Sequence, residues 1–160
     1  VNDSKKLSDR RRREYYRIIL DTAVSISLGI VESGEIDERG MSEAVRSSFT
    51  RAESGLDPVP DIVLIDGLPV RSLISQNRKF LVKGDSRSLS IAAASIVAKV
   101  TRDNIMIKTE SLYPGYGFTS NKGYGTPEHL KALERLGPSP IHRMSFSPMK
   151  DDPQLRLGLF

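Results

Sequence analysis

The residue pattern predicts an α/β domain, a sheet covered by helices, and three observations carry that prediction. A short apolar run at residues 62–65 and a second strand-like segment at 79–83 stop at Asp66-Gly67 and Gly84-Asp85. A long stretch of helical character, residues 90–108, follows the second segment. Further helical segments lie on either side of this centre.

The elements can be justified in order. Ser8 is placed to cap a helix whose first half is basic and whose second half carries Tyr15, Tyr16, Ile18, Ile19 and Leu20. Residues 23–31 alternate Val24, Ile26, Leu28 and Ile30 with Ser25, Ser27 and Gly29, the period of a strand. Ser33-Gly34 reads as a turn and residues 36–40 as a short connection, after which Ser42 caps a helix running to about Ala52. Pro58 and Pro60 precede Ile62-Val63-Leu64-Ile65, a continuous apolar run of the kind buried on both faces of a sheet. Within 90–108 the small patch Ala92-Ala93-Ala94-Ser95 permits close packing. Residues 113–126 form a glycine-rich loop, and Pro127 at the first helical position opens a last helix ending near Leu136. One domain is expected over residues 1–146, with a peripheral, proline-bearing tail at 147–160.

Composition narrows the function. A chain of 160 residues can bury a hydrophobic core of its own. No apolar run approaches the roughly 18 residues of a membrane helix, and the polar, basic start lacks a signal-peptide pattern, so no membrane partner is expected. Cysteine is absent, which excludes disulfides and thiolate metal sites and agrees with a reducing, cytoplasmic setting. Two histidines, His129 and His142, are too few for a histidine-rich zinc site, and both read as structural hydrogen-bonders. Lysine plus arginine number 24 against 20 acids, a net +4. Lys5, Lys6 and Arg10 to Arg13 crowd one end, a field that suits a polyanion and equally fits a solvated helix face.

The chemistry-bearing residues cluster at loops. Asp66 and Asp85 follow the two strand-like segments, and functional groups gather at strand ends because a rigid sheet fixes them there. Two such carboxylates suit a hard cation, Mg2+ or Mn2+; the alternative is a pair of turn-forming acids. In the glycine-rich loop, Thr119, Ser120, Asn121 and Lys122 offer donors to phosphate, and the aromatic residues offer stacking faces for a sugar or base. The loop lacks the spacing of a nucleotide-hydrolase phosphate loop, and taken alone it also reads as a flexible surface loop. Asp103, after Arg102, reads as a helix-surface ion-pair or hydrogen-bond partner.

Several segments, in order, resemble the ribonuclease HII family. They are Asp3-Ser4-Lys5-Lys6-Leu7-Ser8, Ile65-Asp66-Gly67, Lys83-Gly84-Asp85-Ser86, the helix from Ile91 to Asp103, Tyr113-Pro114-Gly115-Tyr116, Ser120 to Thr126, and Ile141-His142-Arg143-Met144-Ser145-Phe146. Each is weak alone; the ordered set, from Asp3 to about Phe146, is specific. The resemblance implies a ribonuclease H-like mixed sheet flanked by helices. It implies an endonuclease acting on the RNA strand of RNA–DNA hybrids and nicking 5′ of single ribonucleotides embedded in DNA by two-metal catalysis with Mg2+ or Mn2+. On it, Asp66 and Asp85 are catalytic metal ligands. Tyr124 stacks on the ribonucleotide sugar, Lys5, Ser120, Asn121 and Lys122 hold phosphates, and Lys83 and Arg143 are further substrate-binding candidates.

One departure accompanies the match. The family opens with strands bearing Asp-Glu-x-Gly-Arg-Gly, which supply two more carboxylates, and this sequence opens at Val1 just before the Asp-Ser-Lys segment. The 160 residues alone are therefore expected to be inactive or nearly so. Two other readings stand beside the enzyme: a truncated, noncatalytic nucleic-acid-binding remnant, and a basic α/β interaction module. Asp3 and Asp103 are the acids that would complete a site if the chain alone were active.

Overall fold

The computed structural model describes residues 7–70, 73 and 76–151. It is an α/β protein, as expected, and divides into two compact units: residues 1–29 with 48–101, and residues 30–47 with 102–160.

The first unit opens with α1 (Asp9–Thr22), where the Ser8 hydroxyl accepts from the Arg11 N–H as the cap expected of it. Asp9 in the first turn pairs with Arg13 at 2.9 Å, an i,i+4 contact that also sets an acid at the positive end of the helix. The strand expected over 23–31 is not formed among the described residues, where 25–32 carry no assigned helix or strand. Alternation marks a strand-like pattern, and pairing requires a neighbour that alternation cannot supply. Gly29 instead lies against α3 (Met41–Ser54), where an added Cβ would sit 1.7 Å from the Ser48 carbonyl oxygen, so only glycine fits.

Two strands, β1 (Val63–Asp66) and β2 (Arg78–Leu81), pair in parallel with Asp66 opposite Leu81. Among the described residues they make a two-stranded sheet. The expected second strand lay at 79–83; it starts and stops earlier because Lys83 turns into the left-handed region and begins a short 3-10 helix, Gly84–Ser86. Helix α4 (Leu89–Leu112) follows. Ala92, Ile96 and Val100, four residues apart, are buried on one stripe of it, and Ile65 and Leu73 are buried elsewhere in the unit.

The second unit departs from the sequence reading at its start. Residues 33–39, read as a turn and connection, form helix α2 (Ser33–Arg39), and α3 begins at Met41 rather than after a Ser42 cap. The Ala44 N–H donates to the Gly40 carbonyl, so Ser42 already lies inside the first turn. Helix α5 (Phe118–Asn121) is a single turn within the expected loop, and α6 (Pro127–Leu136) starts at Pro127 with Thr126 as its cap. The core here is Tyr116, Phe118, Ala132, Leu133 and Met149, with Met106, Tyr113, Ile141 and Met144 packed against it. Met149 corrects the expectation of a peripheral tail, since its side chain is part of that core.

Candidate functional site

Each half of the expected chemistry lies in its own unit, and each is built by local rules. At the strand ends, the last residue of β1 is Asp66 and the last of β2 is Leu81. The Gly67 N–H donates to the Leu81 carbonyl at 3.0 Å, which carries the parallel ladder to the very end of β1. From there Asp66 Oδ1 accepts from the Gly84 N–H at 2.7 Å. The bond ties one candidate acid to the backbone immediately before the other, Asp85. Gly84 leaves room for its neighbours, since a Cβ there would meet Ile91 Cδ1 at 2.5 Å and Asp66 Oδ1 at 3.3 Å, and the Ile91 side chain would have to shift. Lys83 takes φ 54° and ψ 43°, a conformation unusual for a side-chain-bearing residue, and so turns the chain directly from β2 into the acid-bearing turn. The donors gathered here are carboxylate oxygens, the type a hard divalent cation takes. Among the described residues, no three acids or histidines come together as a ready metal cage.

In the second unit, the loop from 115 to 126 is held from three sides. Glu110, near the end of α4, accepts from the Gly115 N–H at 3.1 Å and the Thr119 N–H at 3.4 Å. Asn121 is buried: its amide donates to the Tyr116 carbonyl and its oxygen accepts from the Gly123 N–H, both at 2.7 Å. Both ends of that side chain are thus engaged within the loop, so Asn121 shapes the loop that Ser120 and Lys122 present. Ser120 is exposed and donates its backbone N–H to the Gly117 carbonyl. Lys122 adopts φ 53°, and its ammonium donates to the Thr119 carbonyl. Tyr124 is half exposed, with the Arg102 guanidinium 4.5 Å from its ring centre.

Beyond the loop, Arg143 is exposed and stacks over the Phe146 ring at 4.1 Å. Asp37 on α2 anchors this turn. Its carboxylate accepts from the Met144 N–H at 2.7 Å, the Ser145 N–H at 2.9 Å and the Ser145 hydroxyl at 2.5 Å. Desolvation pushes the Asp37 carboxyl up, but the Ser145 and Met144 donors and the Arg143 charge outweigh it, and the group lies below its ordinary range. Lys5, and Asp3 with it, falls outside the described residues.

The histidines act as structural hydrogen-bonders, and they do so together. His129 Nδ1 lies 3.1 Å from the Tyr116 carbonyl, and the two Nε2 atoms are 3.4 Å apart. Asp103 is buried rather than on a helix surface. Sequence reading missed Arg102, Glu110 and Asp37 as organisers of this region. Glu110 and Asp37 are acids next to a glycine-rich loop and within a supposed connection, and nothing local distinguishes them from solvated charges. Arg102 was passed over for its neighbour Asp103.

An α/β fold whose first parallel strand ends in a tethered carboxylate, with a second acid in the turn after its partner strand and a separately braced glycine-rich loop bearing a half-exposed tyrosine, places the chain in the ribonuclease H-like class. The family model for ribonuclease HII matches residues 1–149, and the chain belongs to that family. Ribonuclease HII of Listeria innocua is 46% identical over 151 residues, covering 94% of this chain and 57% of the relative. That of Enterococcus faecalis is 49% identical, covering 94% and 58%. The chain therefore spans rather more than half the length of these curated relatives. The crystal structure of ribonuclease H2 from Pyrococcus horikoshii OT3 superposes with a TM-score of 0.81 at 25% identity, over 96% of this chain and 81% of that one. Among the described residues no helix is long and apolar enough to cross a membrane.

Proposed function

We propose that these residues carry the strand-end carboxylates and substrate loop of an endonuclease that cuts the RNA strand of RNA–DNA hybrids and nicks 5′ of single ribonucleotides in duplex DNA. The observation that carries the reading is Asp66 bonded to the Gly84 N–H at 2.7 Å, with Asp85 the next residue. That bond occupies one oxygen of Asp66 and presets the carboxylate, so that its other oxygen is available to a cation.

Asp66 and Asp85 would hold Mg2+ or Mn2+, since hard oxygen donors suit those ions. Bound divalent cations supply an activated water and charge neutralisation at the leaving 3′-oxygen. Tyr124 would offer one ring face to the sugar of the ribonucleotide, with the Arg102 guanidinium over the other, 4.5 Å from the ring centre. Ser120 and Lys122 would meet phosphates, and Asn121 would serve them through the loop's shape. Lys83, Arg143 and Lys5 are further candidates for holding the nucleic acid through their positive charge. The reading takes residues 1–146 as part of one catalytic domain and places the enzyme in the cytoplasm. By themselves the 160 residues should cleave little, because two carboxylates are few for a hard cation.

A chimera tests this. These 160 residues replace the matching stretch of the Enterococcus faecalis relative, and the product is assayed on a duplex with one ribonucleotide. Metal-dependent nicking on its 5′ side is expected, together with loss of cleavage and retained binding in Asp66→Asn and Asp85→Asn. A chimera that binds hybrid without cutting would move the reading to a noncatalytic nucleic-acid-binding remnant.

A further inference from the structure

The two histidines have one arrangement of protons that satisfies their shortest contacts, with the Ser139 carbonyl farther from His142 Nδ1, at 3.3 Å. The Tyr116 carbonyl can only accept, so His129 must donate from Nδ1, 3.1 Å away. His129 Nε2 is then a lone pair. At the other end, the Ser139 backbone N–H can only donate and lies 2.9 Å from His142 Nδ1, with the Ser139 hydroxyl at 2.8 Å. His142 Nδ1 is then an acceptor and its proton sits on Nε2, aimed at His129 Nε2 across 3.4 Å. The direction is unbroken: Ser139 N–H to His142, His142 to His129, and His129 to the carbonyl at the root of the glycine-rich loop. Asn121 donates to that same carbonyl at 2.7 Å. A metal ion between the rings is disfavoured, because His142 would need its Nε2 lone pair free while Nδ1 already faces a donor.

We propose that His129 and His142 form a directional relay, neutral in both rings, that positions the 115–126 loop, and that one proton taken up by His142 releases it. A proton on His142 Nδ1 sets a donor against the Ser139 N–H. That repulsion is relieved by moving the His142 ring, which is bonded both to the 139–142 turn and to His129.

The surroundings favour the uncharged pair. Tyr116 and Phe118 pack against both rings, at centroid distances from 5.2 to 6.4 Å. Arg102 and Arg143 line the same cavity of about 730 Å³ and oppose a positive ring, while Glu32, the acid on its wall, favours one. Tyr113 also lines it, and the Tyr116 hydroxyl is turned to the Gly137 carbonyl. The remaining charges of α6, Glu128, Lys131, Glu134 and Arg135, are on its exposed face. Burial pushes His142 down to about 4, with His129 adding to the effect and the Ser139 carbonyl, which would accept from the charged ring, opposing it. The loop's role in binding rests on the proposed nuclease function; the relay itself does not.

The test is long-range nitrogen–proton NMR of the histidine rings in the 160-residue chain, followed by acid titration. At neutral pH His129 should carry its proton on Nδ1 and His142 on Nε2. As His142 titrates, far below the ordinary 6.5, the backbone amides of 120–126 should lose their neutral-pH positions with the same midpoint. Both rings protonated on Nε2 at neutral pH, or loop amides indifferent to the ring titration, would overturn the relay. His129→Asn keeps a donor for Tyr116 and removes the second ring, so the acid transition of the loop should vanish. Should that variant not fold, the tautomers of the unmodified chain decide alone. RNA–DNA hybrid binding across the same titration is read separately. If the tautomers and amides behave as stated while binding does not follow, the assignment of the loop to substrate fails and the relay stands.

Discussion

The strand-end unit and the loop unit treat apolar surface in opposite ways. In the loop unit, Tyr116, Phe118, Ala132, Leu133 and Met149 close a core, and the polar groups beside it are bonded in sequence, from Glu110 and Asn121 to the histidine pair. In the strand-end unit, Val24 is 86% exposed, and Leu64, Leu68 and Val82 also face solvent beside a described sheet of only two strands. Ile26, Leu28, Phe49, Ala94 and Ala98 line a groove of about 520 Å³ in that same unit. The contrast shows that a side chain's chemistry and its burial come apart when the neighbours differ. Alternating valine, isoleucine and leucine produce no ladder at 25–32, whereas one turn of loop around Phe118 is fully packed.

The largest expected effect lies at the strand ends. In the chimera described above, Asp66→Asn should lower cleavage by at least about 100-fold, since even groups that only orient metal ligands typically contribute 10–100-fold. Hybrid binding by the same variant, measured by fluorescence anisotropy, should stay near the parental value. A variant that cuts normally would place the chemistry outside the strand-end unit.

Next in size is the loop unit's core. Phe118→Ala removes a fully buried ring and should destabilise that unit by roughly 3–5 kcal/mol in urea unfolding. A loss under about 1 kcal/mol would mean the loop unit is no better packed than its counterpart.

Acid should act on the loop unit selectively. Because the folded His142 sits at about 4 against an ordinary 6.5, the unfolded chain takes up a proton that the folded one refuses. That contribution to stability is fully present above about pH 6.5, declines as pH falls, and is exhausted near pH 4. Melting followed by Tyr116-region NMR signals should decline over this window more steeply in the unmodified chain than in His142→Asn. Equal slopes would remove the histidine pair from the explanation.

The smallest effect is expected on the exposed side. Val24→Ser should change unfolding free energy by no more than about 0.5 kcal/mol, since its side chain already faces water, while lowering the tendency to aggregate in light scattering. A large destabilisation would mean that Val24 is covered in solution.

Local chemistry alone determined several features of this protein. Ser8 is read as a cap because it presents an oxygen to an N–H three residues on, and Pro127 opens α6 because its lost N–H has no partner there in any case. The apolar run ending at Asp66-Gly67 marks β1, and the ordered motifs place the chain in its family. Tertiary structure alone decided the rest. Helix α2 is short and carries a glycine, and its Asp37 is anchored by Met144 and Ser145, more than a hundred residues away. The 25–32 segment has no ladder partner among the described residues, because pairing belongs to the neighbour as much as to the strand. Asp103 and Met149 are buried, and His129 and His142 share one proton path, through contacts that link distant parts of the chain. Caps, turns and helical periods depend on residues within four positions and can be read from order. Burial, proton placement and strand pairing depend on groups that meet only after the chain has folded.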